Sequence, residues 1–126
     1  MRALIVTHGR LGEELLASAR EVHGVQAPIE CLSNRDCDAN ELEPKISEWL
    51  RRNDGPALIL VDVGAGSCGV AALDAGIDRP QTWVLGGLNL PMILTYLAHH
   101  DSMTPEELVA KMVDRSRPSV GRSGGN

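Results

Sequence analysis

The chain is short of basic residues. Its 12 Lys and Arg are outnumbered by 17 Asp and Glu, giving a formal net charge of −5 with histidine neutral. Nucleic-acid binders need a basic face to displace counterions from phosphate, so this balance argues against nucleic acid as a partner. No apolar run approaches the roughly 20 residues of a membrane helix. The start Met1-Arg2-Ala3-Leu4-Ile5-Val6 turns polar at Thr7-His8, too soon for a signal-peptide core. The cysteines, Cys31, Cys37 and Cys68, are odd in number and show no Cys-x-x-Cys spacing. That suggests neither a disulfide framework nor a zinc site. Internal repeats and a second composition regime are missing too. At 126 residues, 43% hydrophobic and 23% charged, the chain has ordinary globular composition. Its length can bury roughly two-thirds of the unfolded surface without a staple. The expectation is one cytoplasmic domain over residues 1–115, with no cofactor and no metal.

Apolar periodicity gives the order of elements. Leu4-Ile5-Val6 reads as a strand ended by Thr7-His8-Gly9. Leu11, Leu15, Leu16, Ala19 and Val22 then make an amphipathic helix over 11–23, closed by Gly24. Residues 27–32 form a weaker strand. Asp38 and Glu41 have capping-box spacing ahead of the stripe Leu42, Ile46, Trp49 and Leu50, with Pro44 tolerable only in the first turn. Ala57 to Val61 is apolar on both faces, as a buried parallel strand should be. It runs through Asp62 into Gly64-Ala65-Gly66-Ser67 and a short helix over 68–76. Thr82 to Leu85 is a further strand, stopped by Gly86-Gly87, and Pro91 opens the next helix. Thr104-Pro105-Glu106-Glu107 opens the last, through Asp114. Residues 116–126, rich in Ser, Gly, Arg and Pro, read as a mobile tail or a short edge strand. Strands alternating with helices predict an α/β domain, doubly wound, with a mostly parallel sheet of four or five strands and helices on both faces.

In such a sheet, ligands sit beyond the carboxyl ends of the strands. Three segments occupy that edge: Thr7-His8-Gly9-Arg10, Asp62 to Ser67, and Gly86-Gly87-Leu88-Asn89. A carboxylate bonded to one imidazole nitrogen fixes the tautomer and leaves the other as a nucleophile. Gly-rich amides at Gly64 and Gly66, the Ser67 hydroxyl and a helix N-terminus can receive an anion such as a phosphoryl group. Blander readings exist for each residue. His8 could be a satisfied structural histidine, Asp62 a helix cap, and Cys68 a small buried filler. Arg10 could neutralise an incoming phosphate or pair with Glu13 or Glu14. His23, His99 and His100 close helices and suit the surface. The Gly-rich turn is no dinucleotide fingerprint, since no acidic ribose-binding residue follows about 20 positions on. It also lacks the Gly-Lys-Ser/Thr ending of a P-loop.

These three segments, in this order, resemble the enzyme IIA component of the mannose–fructose–sorbose family of the bacterial phosphotransferase system. The resemblance is carried by Ile5-Val6-Thr7-His8-Gly9, by Leu60-Val61-Asp62 with Gly66-Ser67, and by Gly87-Leu88-Asn89-Leu90-Pro91-Met92. It spans residues 2 to 114. It implies a phosphotransferase component working through phosphohistidine, with His8 taking a phosphoryl group from phospho-HPr and passing it to a IIB partner. A membrane sugar permease is implied indirectly. Asp62 would orient the imidazole, and Ser67 with Gly64 and Gly66 would contact the phosphoryl group. The family's Gly-Gly-Ser-Pro turn is Gly64-Ala65-Gly66-Ser67-Cys68 here, and Cys68 restores an amide that proline lacks. The family often dimerises by exchanging a C-terminal strand, implying a homodimer, although residues 116–122 here are poor strand material. Two other readings stay open. One is a regulatory module on the same fold whose histidine phosphorylation is read by a partner. The other is the phosphocarrier for dihydroxyacetone phosphorylation, whose acidic-site turn usually reads Met-Asp-Met/Leu-Gly-Ser. Hydrolases fit poorly, because the site offers one nucleophile and no second acid–base pair.

Overall fold

A computed structural model describes residues 1–118 and Gly121. Four strands, β1 (Arg2–Thr7), β2 (Ile29–Ser33), β3 (Ala57–Val61) and β4 (Thr82–Leu85), form one sheet in the order β2-β1-β3-β4. Every pairing is parallel. The helices are α1 (Leu11–His23), α2 (Leu42–Arg51), α3 (Ser67–Gly76), α4 (Leu90–His99) and α5 (Pro105–Ser116).

Alternation along the central strands builds the core on both sides of the sheet. Ala3 and Ile5 of β1, with Leu58 and Leu60 of β3, pack against α1, α4 and α5 through Leu16, Ala19, Ile93, Tyr96, Leu97, Leu108 and Met112. Leu4, Val6, Ile59 and Val61 point the other way, onto Leu42, Ile46, Trp49 and Leu50 of α2 and Cys68, Ala71 and Ala72 of α3. The expected doubly wound α/β architecture is therefore present, with four strands among the described residues.

The boundaries differ from expectation where proline intervenes. β2 begins at Ile29, because Pro28 has no N–H for the ladder. The Asp38–Glu41 capping box forms, yet it closes a 3-10 turn at Ala39–Glu41, and α2 starts only at Leu42. An α-helix begun at Ala39 would drive the Pro44 ring into the carbonyl of Asn40, whereas from Leu42 the proline falls in the first turn. At the other end, α5 runs through the buried Ser116, two residues beyond the expected stop at Asp114. The rest of the expected tail or edge strand, residues 119, 120 and 122–126, lies outside the described residues. Among those that are described, no helix is long and apolar enough to cross a membrane.

Candidate functional site

The sheet order places the site. From β1 the chain moves outward to β2, while from β3 it moves the opposite way to β4. The helices after these two adjacent strands consequently lie on opposite faces, and a crevice opens at the strands' carboxyl ends. Val6 and Val61 are in register across the β1–β3 ladder. His8 and Asp62, just past the ends of their strands, are thereby brought to the mouth of that crevice.

Asp62 grips His8 twice with one oxygen. The His8 backbone N–H donates to Oδ2 at 2.9 Å, and Nδ1 lies 2.9 Å from the same atom. The other oxygen, Oδ1, accepts the Val63 N–H at 2.9 Å. Burial pushes the Asp62 carboxyl up, but the amide and ring of His8 and the amide of Val63 outweigh it and hold the group below its ordinary value. It is therefore an ionised acceptor at neutral pH, and in the neutral ring the proton sits on Nδ1. Nε2 keeps its lone pair and faces Ser67 Oγ at 3.1 Å, where the hydroxyl donates. The His8 side chain is 44% exposed and that of Asp62 only 8%. The carboxylate is thus an anchor set into the protein, and the imidazole is its accessible tip.

Ser67 opens α3, whose N-cap, Gly66, provides no side-chain cap. The first N–H groups of a helix have no intrahelical acceptor and carry the positive end of its dipole. Asp62 does not fill that role, so the helix-cap reading of this residue is not what the structure shows. Gly66 also lies close to the imidazole, since a Cβ there would come within 3.3 Å of His8 Cε1. Behind it, a Cβ on Gly69 would sit 2.1 Å from the Gly64 carbonyl oxygen. That close approach holds the turn against the first turn of α3. Gly64 thus braces the loop through its backbone, while Gly66 and Ser67 meet the ring.

The turn carrying His8 has its own supports. Gly9 adopts φ +59, a left-handed conformation that favours glycine. Thr7 Oγ1 accepts the Gly12 N–H at 2.8 Å, tying the strand end to α1. The end of β2 and the segment after it supply what the sequence reading missed. Asn34 Oδ1 accepts the Gly9 N–H at 2.9 Å, Ser33 Oγ donates to the Gly9 carbonyl at 2.6 Å, and the Arg35 guanidinium lies against Gly9. These residues end or follow a strand of the same sheet, so the carboxyl-edge rule that selected the other segments covers them as well. Of the third expected segment, Asn89 caps α4 by accepting the Met92 N–H at 3.0 Å. Its part is to hold the backbone of the site's surroundings.

The remaining candidates separate cleanly. Arg10, 73% exposed, pairs with Glu14 at 3.4 Å and Glu13 at 4.0 Å, the second of its two expected readings. His23 and His99 end α1 and α4, and His100 stacks on Tyr96 with ring centroids 5.5 Å apart. Cys68 is fully buried, as a filler would be, yet its Sγ lies 3.8 Å from His8 Nδ1. Burial, and then the charge of Asp62, push its thiol up. His8, Asp62 and Cys68 bring three potential metal-ligand atoms within 4.8 Å of one another. Cysteine spacing gave no hint of this, because the three donors come from two segments far apart in sequence.

Fold and site together define a doubly wound domain that carries an oriented, exposed imidazole at its switch point. A family model described as the PTS system fructose IIA component matches residues 2–113. The mannose-specific EIIAB component of the phosphotransferase system of Escherichia coli strain K12 is 32% identical over 121 residues, covering 93% of this chain and 38% of the relative. The chain thus spans well under half the length of that curated relative. The mannose/sorbose-specific IIA subunit from Enterococcus faecalis superposes with a TM-score of 0.81 at 26% identity, covering 99% of this chain and 96% of that one. The phosphotransferase system component EIIA from Streptococcus agalactiae gives a TM-score of 0.86 at 19% identity over 96% and 95% of the two chains, which shows the shared fold. The chain belongs to the IIA-component family of the bacterial phosphotransferase system, in its mannose branch.

Proposed function

We propose that the chain is a phosphocarrier that accepts a phosphoryl group on His8 Nε2 from phospho-HPr and passes it to a IIB partner serving sugar uptake. The observation that carries this reading is the asymmetry of the imidazole. Nδ1 is bound to a buried carboxylate, while Nε2 faces a hydroxyl at an uncapped helix N-terminus. In the transfer, the Nε2 lone pair attacks phosphorus and the donor's P–N bond breaks, its electron pair returning to the donor nitrogen. The ring, still protonated on Nδ1, becomes cationic, and the Asp62 charge sits opposite it. Such a ring is a good leaving group, so the same contact supports onward transfer to IIB, where the P–Nε2 pair returns to His8.

Ser67 and the first amides of α3 would hold the phosphoryl oxygens, which carry close to two negative charges at pH 7. Cys68 can donate its amide there, where a proline could not. Protein partners rather than a small substrate suit the surroundings. Leu11, Val63 and Val70, each about half exposed, lie in the segments that bear His8, Asp62 and Ser67. A cytoplasmic location follows from such partners.

The test is labelling. Enzyme I, HPr and labelled phosphoenolpyruvate should phosphorylate the chain with an acid-labile bond, as should the His23→Ala, His99→Ala and His100→Ala variants. His8→Ala should remain unlabelled, and label on it would overturn the assignment.

A further inference from the structure

We propose that His8, Asp62 and Cys68 form a binding site for a thiophilic divalent cation, zinc foremost, and that this cation blocks the phosphoryl-accepting nitrogen. The blocking half rests on the phosphocarrier reading; the metal site does not.

The donor set is one nitrogen, one carboxylate and one sulfur, which suits zinc and not magnesium or calcium. Tetrahedral zinc with ordinary bond lengths separates a nitrogen and a sulfur ligand by about 3.6 Å, and a nitrogen and an oxygen by about 3.4 Å. Nδ1 and Sγ stand 3.8 Å apart here, and Nδ1 and Oδ2 2.9 Å apart. The hydrogen bond between ring and carboxylate must open by roughly half an ångström, and the sulfur and the carboxylate oxygen, which lie within 4.8 Å, must draw in to about 3.6 Å. All three donors already lie within 4.8 Å of one another. Asp62 Oδ1 can keep the Val63 N–H throughout.

Charge and access also fit. A thiolate and a carboxylate together cancel the two positive charges of the ion. Cys68 is wholly buried and Asp62 nearly so, while the exposed face of His8 gives a route in. Water would supply the fourth ligand, as at open zinc sites. On binding, Cys68 releases its thiol proton to solvent and Nδ1 gives its lone pair to the metal. The single proton of the neutral ring then resides on Nε2, where it donates to Ser67 Oγ. The lone pair that would attack phosphorus is no longer there. Metal and phosphoryl donor therefore compete, and by linkage each weakens the other's binding.

Cobalt(II) is the probe for the site, added to chelator-treated protein under a non-thiol reductant. The expected result is one equivalent bound with a thiolate-to-cobalt charge-transfer absorption. That absorption should be lost in Cys68→Ser and Cys68→Ala and kept in Cys37→Ser. No band in the wild type, or an equal band without the Cys68 thiol, overturns the site. Blocking is read with purified phospho-HPr as donor, so that enzyme I is absent, as the ratio of labelling rates with and without zinc. Half-inhibition should need at least about tenfold more zinc in Cys68→Ser than in wild type, the lower end of what changes outside a ligand shell cost. Equal sensitivity overturns the blocking. A wild type that takes no label even in chelator refutes the phosphocarrier reading instead, and the cobalt absorption still decides the metal site.

Discussion

Replacing Asp62 by Asn tests the oriented imidazole most sharply, because the change is nearly isosteric and the geometry forces a conflict. The carboxylate accepts from three donors, the His8 N–H and Nδ1–H through Oδ2 and the Val63 N–H through Oδ1. An amide has one acceptor oxygen and one donor nitrogen. If the oxygen stays with Val63, the NH2 group meets the His8 N–H and compels Nδ1 to accept, which moves the ring proton to Nε2. If the amide flips, the tautomer survives but the Val63 N–H faces a donor. In both cases the negative charge opposite the cationic ring is gone. A hydrogen bond to a charged group is worth about 1.5–3 kcal/mol. At about 1.4 kcal/mol per decade, this corresponds to a loss of roughly 10- to 100-fold in transfer rate. The Asp-to-Asn change in a serine-protease triad costs about 10⁴, which serves as a ceiling because the exposed ring here can exchange its tautomer with water. Quenched-flow labelling from phospho-HPr measures the rate, and circular dichroism checks the fold. Equal rates for wild type and Asp62→Asn would show that the contact only shapes the loop.

The same contact makes a pH prediction. Since the folded Asp62 titrates below its ordinary value of 3.8, its stabilisation is full above that pH and is lost as the pH falls through the lowered folded value. The stability gap between wild type and Asp62→Asn in urea titrations should therefore be present at pH 5 and shrink as the pH falls below about 4. Gly69→Ala should cost about 3 kcal/mol, the upper end of overpacking, because its methyl would meet the Gly64 carbonyl oxygen at 2.1 Å. A thermal midpoint like that of wild type would refute this. Asn89→Ala should cost about 1 kcal/mol through loss of the α4 cap, measured by the same denaturant titration. Gly66→Ala, at φ −81, should fold normally but slow labelling several-fold, because the new methyl presses on His8 Cε1 from 3.3 Å.

Much of this architecture was legible because local signals agreed with the fold. The stripe from Leu11 to Val22 and the stop at Gly24 set α1 to the residue, and Thr104-Pro105 set the start of α5, though not its end. The run from Ala57 to Val61 announced a strand covered on both faces, and all five residues are buried. His8 and Asp62 could be singled out because the position just after a parallel strand is a place and not merely a sequence motif. What stayed hidden depends on contacts between loops. Asn34 and Arg35 carry no motif, and their approach to Gly9 follows only once β2 is set beside β1. Cys68 read correctly as buried, but its distance to His8 depends on how tightly Gly69 draws α3 onto the Gly64 turn. Pro44 was visible, whereas its power to turn the helix start into a 3-10 segment emerged only from the geometry.

The central claim is that His8 reacts through Nε2 while Asp62 keeps the proton on Nδ1. Nitrogen-15 NMR of the histidine-labelled chain, recorded before and after phosphorylation by enzyme I, HPr and phosphoenolpyruvate, reads both nitrogens of this one ring. The account predicts a phosphorus-coupled Nε2 on His8 and an Nδ1 that stays protonated, with the other three histidines unchanged. Phosphorus coupling on Nδ1, or on His23, His99 or His100, would contradict it.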